Sequence, residues 1–460
     1  MARAGRRRRT GFVAVVVAAA SGLACSQPLA GGATGATWKS AAPPSAIEAG
    51  RALRAPRRPP KVYAALAQAA SQYEAPPLDL APRKRAALGE APDSIEARVR
   101  KVVGEVARAA HLTVPVGDPR FDAVAAAVAA GAEGLRPLPS DVVRFFANHY
   151  GVIEPDPAMS TVVGPPVTDG IVERYRGAVG EMLRAGSWNR LGVGSARHGE
   201  SVTVVVALWE QLIELAPVPR RLPSAGRARL EVKLARPLTN PQIVVTFPGG
   251  FVRALPISFG EEHVLRADAQ SKKTVLRTEL LCNQGDGRYQ VEVLGTRPSG
   301  PAVLANFPVF CGVEPPSDIS AYDEDDEDEI DPADAEQELL SLINRDRMAS
   351  GLKALAWDDR LAAIARSHSR DMLAHNFIEH VSPTTGDAAA RVKAAGLAFR
   401  LVSENVGQEG GVQQVHRGLM ASPGHRANVL NPHLERVGIG VVVNRKSGAP
   451  LIVTELFAAD

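Results

Sequence analysis

The chain has 460 residues, too many for one ordinary hydrophobic core, so length alone predicts roughly two to four domains. Hydrophobic residues make up 45% and aromatics 5%, a globular composition, and past the first 25 residues no apolar run is long enough to span a membrane. The 53 Lys+Arg and 50 Asp+Glu give a net charge of +3, but Arg3 and Arg6 to Arg9 lie in one N-terminal block; without them the balance is 48 − 50 = −2, which excludes a charge-driven nucleic-acid role.

That block opens "MARAGRRRRTGFVAVVVAAASGLACSQ", basic residues, an apolar run and then small residues, so residues 1–24 read as an export signal. "SGLACS" resembles the bacterial lipobox, with Gly22 where leucine is usual. A lipid-anchored Cys25 is predicted, with ordinary signal cleavage as the alternative. Residues 25–93, rich in Ala, Pro and Arg, read as a tether. At Ser94, a candidate N-cap, the texture changes: Ile95, Val99, Val102, Val103 and Val106 form a helical stripe that opens a helical or α/β domain over 94–216.

Short alternating runs such as "ARLEVKLA", "QIVVTFPG" and "RYQVEVLG" then predict a β-sandwich over 222–315. With Cys25 lipidated, Cys282 and Cys311 remain as an even pair in an exported chain, and a structural disulfide is expected rather than two buried thiols. The acidic run within 316–333 lacks the glycine and ligand alternation of a calcium loop and reads as a linker. The last domain, 334–460, predicts two amphipathic helices, a loop "HVSPTTGD", a short helix ending at Gly396, a strand at "SENV", a third helix and a hairpin around Lys446 to Ala449.

The motifs "FIEHVSP", "SENV", "SPGHRANVLNP" and "RVGIGVV", in this order after "WDDRLAAIARSHSRDM", resemble the CAP domain family of cysteine-rich secretory proteins, antigen 5 and pathogenesis-related protein 1, in a cysteine-poor bacterial form. The resemblance covers about the last quarter of the chain. It implies an α-β-α sandwich with a cleft lined by His380, Glu404 and His425, with Asn405 and Ser422 as further ligand-binding candidates at its rim. Two imidazoles and a carboxylate converging on one point could hold a divalent metal such as zinc, or a water that the carboxylate deprotonates. The family's second glutamate is missing from the helix before His425, which carries Leu419 and Ser422 instead; Glu455 is the candidate to approach the site. His368 reads as a hydrogen-bonded core or cleft-floor residue, and His375, His416 and His433 have no partner at metal-ligand spacing.

Upstream, Phe146 to His149 repeats the F-x-x-H of Phe377 to His380, and "NRLGVGSARHGESVTVVVAL" echoes "ERVGIGVVVNRKSGAPLIVTEL". A degenerate CAP-like copy in 94–216 is one reading and chance similarity the other. The function expected is that of an exported, periplasmic or outer-surface protein whose cleft binds an apolar or wall-derived ligand, the sandwich serving as spacer or adhesion module. The second reading is a metal-assisted hydrolase of peptide or wall material using His380, Glu404 and His425. No GxSxG, HExxH, CxxC or phosphate-loop pattern occurs, and the sequence sets no oligomeric state.

Overall fold

The computed structural model describes residues 16–18, 24–25, 61–76, 93–132, 138–155, 157–165, 168–234, 238–265, 270–297, 300–321, 330–375, 377–444 and 450–460. The export signal, any lipid on Cys25 and the turn expected at Lys446 to Ala449 fall outside these residues, apart from the strands Val16–Ala18 and Ala24–Cys25.

The C-terminal domain starts at Asp331, whose carboxylate accepts from the amides of Ala333 and Asp334 and caps the helix Pro332–Ala349, with Pro332 in the first turn. Five strands follow in the order Ala356–Trp357, Arg436–Val443, Leu451–Ala459, Leu401–Glu409 and Ala24–Cys25. The first pair is parallel and the others antiparallel. Helices Asp359–His375 and Ala388–Ala394 cover one face, where Leu361, Ile364 and Val392 pack on Leu456 and Ala458. Helices Pro332–Ala349, Val412–Ala421 and Pro423–Val429 cover the other, where Leu342, Val415 and Val429 pack on Val453 and Phe457. Successive side chains of a strand leave on opposite faces. The sequence of the strand Leu401–Glu409 therefore decides which site residues face which helices.

Two glycines let the sheet and the helix Asp359–His375 touch. A Cβ on Gly438 would lie 2.1 Å from the nitrogen of Ala362, and one on Gly440 2.1 Å from that of Arg366. The N-terminal domain repeats this device, because a Cβ on Gly192 would lie 2.3 Å from the carbonyl of Phe121 and one on Gly194 2.1 Å from the nitrogen of Ala126. Its helices are Ile95–Ala109, Pro119–Gly131, Ser140–His149 and Thr168–Arg184. Its strand order, Val116–Gly117, Arg190–His198, Ser201–Trp209, Ala158–Gly164 and Val16–Ala18, matches that of the C-terminal sheet element for element. Each domain also caps its central helix with an Asp-x-Arg pair. Asp118 holds the amide and guanidinium of Arg120, and Asp358 those of Arg360. The expected alignment of the F-x-x-H motifs does not occur. Phe146 and His149 lie inside the helix Ser140–His149, whereas Phe377 to His380 form a loop after the helix Asp359–His375.

Between these domains, two five-stranded sheets pack face to face around Leu230, Val232, Ile243, Val245, Val291 and Phe307. Cys282 follows a strand of one sheet and Cys311 ends a strand of the other, and their disulfide joins the sheets at a Cα–Cα distance of 5.7 Å. Two stretches expected as connectors belong to the folded body. Gln72–Ala75, inside the expected tether 25–93, adds a strand beside Ile213–Pro219 with Tyr73 fully buried. Lys61–Ala64 pairs with Asp318–Ala321, inside the expected linker 316–333. A strand of four residues offers two inward positions, too few to form a legible rhythm against an Ala, Pro and Arg background. Among the described residues no helix is long and apolar enough to cross a membrane.

Candidate functional site

The strand Leu401–Glu409 lies between the two helical layers, and its residues Glu404 and Asn405 organise one half-site each. Glu404 is paired across the sheet with Leu456, which packs under the helices Asp359–His375 and Ala388–Ala394. On that face Oε1 of Glu404 meets Nδ1 of His380 at 2.8 Å, and Oε2 accepts from Nη2 of Arg391. The second guanidinium nitrogen of Arg391 donates to the carbonyls of His380, 3.0 Å, and Gly386, 2.6 Å, so one side chain fixes both the carboxylate and the loop that carries the imidazole. Ser382 braces the same loop, its hydroxyl accepting from the amides of Thr384 and Thr385 and bonding to Asp371.

All three members are buried: His380 is 2% exposed, Glu404 0% and Arg391 6%. Burial by itself would raise the Glu404 pKa, but the His380 hydrogen bond and the Arg391 charge outweigh it and hold the carboxyl at about 2. An ionised carboxylate can only accept, so Nδ1 of His380 carries a proton, and in the neutral ring Nε2 is the acceptor. Nε2 is buried with no hydrogen-bond partner among the described residues. His368 lies alongside, its Nε2 3.0 Å from the carbonyl of Glu379. Burial pushes its pKa down, partly opposed by the nearby Glu404 charge.

Asn405 faces the other way. Its amide nitrogen donates to the Glu455 carboxyl at 2.9 Å and to the main-chain oxygen of His425 at 3.3 Å. Asn428 donates to the carbonyl of Glu404, 3.2 Å, and to the side-chain oxygen of Asn405, 2.9 Å, tying the helix Pro423–Val429 to the strand. Glu455 is fully buried, and burial raises its pKa to about 7, opposed only by the Asn405 hydrogen bond. Its second oxygen, Oε1, has no partner among the described residues. Ser422, 1% exposed, turns toward the β-sandwich, where its hydroxyl donates to Glu292 at 2.9 Å.

The structure thus joins His380 directly to Glu404, while the helix bearing His425 packs on the opposite face and meets the strand through Asn405 and Asn428. The zinc set expected from His380, Glu404 and His425 is not assembled. Among the described residues no group of three or more His, Cys, Asp or Glu side chains is placed to hold a metal ion. The reason is visible at Glu404, whose two oxygens are taken by an N–H and a guanidinium, and a cation held there would have to displace Arg391 from a buried ion pair. Two other histidines of the domain pair with carboxylates: His416 lies 2.9 Å from Asp346 and His375 2.8 Å from Asp371. Sequence reasoning did not find Arg391. It sits in the plain helix "AAARVKA", and only the fold brings it to Glu404, thirteen residues on.

Residues 340–457 match the family model described as "Cysteine-rich secretory protein family", CAP. The uncharacterized protein YkwD of Bacillus subtilis (strain 168) is 34% identical over 128 residues, 28% of this chain and 45% of that protein. The uncharacterized membrane protein YlbC of the same strain is 34% identical over 109 residues, 23% of this chain and 31% of that protein. The chain therefore spans less than half the length of either relative. Among solved structures, an extracellular protein containing a SCP domain from Bacillus anthracis str. Ames matches at 19% identity and a TM-score of 0.26, over 55% of this chain and 83% of that one. An outer surface protein from Borrelia burgdorferi matches at 21% identity and a TM-score of 0.27, over 28% of this chain and 96% of that one. The α-β-α sandwich built on Glu404 and its neighbours coincides with the matched segment, and the chain carries, over residues 340–457, a CAP domain of the cysteine-rich secretory protein family.

Proposed function

We propose that this chain is an exported envelope protein whose CAP domain binds a polar fragment of wall material, a peptide or glycan that donates a hydrogen bond to Nε2 of His380. One observation carries the reading. Buried polar atoms in folded proteins are nearly always partnered, and here a ring whose Nδ1 is held by Glu404, itself fixed by Arg391, keeps Nε2, the acceptor of the neutral ring, without a partner among the described residues. An amide N–H or a sugar hydroxyl suits a lone pair, whereas a purely apolar ligand would leave it desolvated at a cost of about 1–3 kcal/mol. Anchoring through a lipid on Cys25 belongs to the same proposal, and a fatty-acid analogue should label the wild type and not Cys25→Ser.

Calorimetric titration with soluble muropeptides is the test. Wild-type protein should bind and His380→Ala should not, while phospholipid vesicles should bind neither through this site. Equal muropeptide binding by both proteins, or by neither, removes the reading.

Apart from the metal-assisted hydrolase using His380, Glu404 and His425, a hydrolase without a metal would rest on two carboxyls with widely separated pKa values, about 2 for Glu404 and about 7 for Glu455, the pattern of an acid–base pair. Their side chains leave the sheet on opposite faces, which opposes joint action on one bond. We infer further that the N-terminal domain is a CAP-like copy without a site. Aligning the two hairpins on their Gly-x-Gly pairs puts Met159 where Glu404 stands, Ser160 where Asn405 stands and Val206 where Glu455 stands.

A further inference from the structure

The helix Pro423–Val429 is held at both ends, and only one end belongs to the CAP domain. At its far end Asn428 bonds to Glu404 and Asn405. At its near end the partner is Glu292, on the sandwich strand Gly287–Arg297. Oε1 of Glu292 accepts from the hydroxyl of Ser422 at 2.9 Å, and Oε2 from the amide of Gly424 at 2.8 Å. Glu292 is 0% exposed, so this is a carboxylate buried between two domains and satisfied by groups 130 and 132 residues away in sequence.

A relay stands behind it. Asn306 donates to Oε1 of Glu292 at 3.1 Å, Gln290 donates to Asn306, and Arg288 donates to Gln290 at 2.8 Å. A second contact runs beside the first, as Nε of Arg426 donates to the carbonyl of Gly250 at 2.9 Å. Gly250 sits in a turn at φ +84°, a backbone conformation that favours glycine, and a Cβ there would come within 2.8 Å of the Arg426 guanidinium. A buried carboxylate is costly unless its oxygens are hydrogen-bonded. The docking that satisfies Glu292 is therefore selected over alternative domain placements, and it fixes the residues on either side of Gly424, including His425.

We infer that Glu292 is a docking residue, acting through Ser422 and Gly424 to seat the helix Pro423–Val429 and its His425 against the sandwich, so that sandwich and CAP domain form one packed unit. The inference concerns the boundary between sandwich and CAP domain, on the face of the sheet opposite the His380 site of the proposed function, and its test does not need a ligand. In full-length Glu292→Ala, amide exchange at Gly424 should become roughly tenfold faster and the His425 ring resonances should move, while the His380 resonances and the Cys282–Cys311 bridge stay as in the wild type. If Glu292→Ala does not fold, Glu292→Gln keeps the shape, loses one acceptor and should show the same selective changes. Wild-type exchange at Gly424 and unmoved His425 resonances in a folded variant overturn the inference. A wild type that ignores muropeptides sinks the wall-ligand reading and leaves the resonance test of Glu292 standing.

Discussion

Glu404 and Glu455 occupy neighbouring strands of one sheet and point to opposite faces of it, because Glu404 is registered against Leu456 and Glu455 against Asn405. One carboxyl is held charged by a histidine and an arginine, and the other has a single amide for company. Their effects on stability accordingly run in opposite directions with pH.

For Glu404 the folded pKa, about 2, lies below its ordinary value of 4.5, so the stabilisation is complete above about pH 4.5 and is lost as pH falls toward 2. Glu404→Gln should remove most of this acid limb. It should also destabilise the protein near neutral pH by about 3–5 kcal/mol, since Arg391 would be left as a buried charge without its partner. Urea unfolding of wild type and variant at about pH 7 and about pH 3 checks both parts, and a gap of equal size at the two values would remove the ion pair from the explanation.

Glu455 runs the other way. Its folded pKa of about 7 lies above 4.5, so the folded state binds the extra proton between these values, and stability declines as pH rises through that window. Glu455→Gln keeps a hydrogen-bonding side chain without the charge. It should match the wild type at about pH 4 and exceed it at about pH 8 by up to about 3 kcal/mol. Thermal melts across this range would show the wild-type curve falling where the variant stays level; parallel curves would mean that Glu455 ionises freely.

Much of the C-terminal domain was legible because its signals are local. The Pro–Gly turn before His425, the strand at "SENV" and the amphipathic helices each depend on a few consecutive residues, and the motif order carried the family. What stayed hidden is whatever depends on two distant segments meeting. Arg391 reaches Glu404 only because a short helix is folded back over the sheet, and Glu292 reaches Ser422 across a domain boundary. The division of the site came from strand alternation, which a motif ignores: adjacent letters, Glu404 and Asn405, face different helical layers. The four-residue strands at 61–64 and 72–75 were lost for a different reason, since two inward tyrosines do not make a period.

The Cys282–Cys311 bridge closes a loop with a sequence separation of 29 and joins the two sheets of the sandwich. Chain-entropy arguments for a loop of this size give about 3–4 kcal/mol of stabilisation. Reduction under native conditions, or Cys282→Ala with Cys311→Ala, should lower the stability of the sandwich by that amount. Non-reducing peptide mapping that returned both cysteines as free thiols would refute the premise.

Arg347 tests the idea that a buried cation can serve the backbone rather than an acid. It is 1% exposed, and burial pushes its pKa down. Its guanidinium donates to four main-chain carbonyls, those of Lys353, Val429, Asn431 and Leu434, at 2.8, 2.7, 2.9 and 3.3 Å. These bonds fasten the helix Pro332–Ala349 to the chain leaving the helix Pro423–Val429, so Arg347 stands behind the site helix as Glu292 stands before it. Arg347→Met preserves the apolar stem and removes the donors, leaving the carbonyls of Val429 and Leu434 buried without this partner at about 1–3 kcal/mol each. The variant should lose about 3–5 kcal/mol in urea unfolding, and the amide of Asn428 should exchange faster even under conditions where the protein remains folded. Arg347→Lys should recover only part of the loss, because one ammonium cannot span four carbonyls that a planar guanidinium reaches together. If lysine restored full stability, the fan of hydrogen bonds would be dispensable and a single positive charge at the end of the helix would account for the residue.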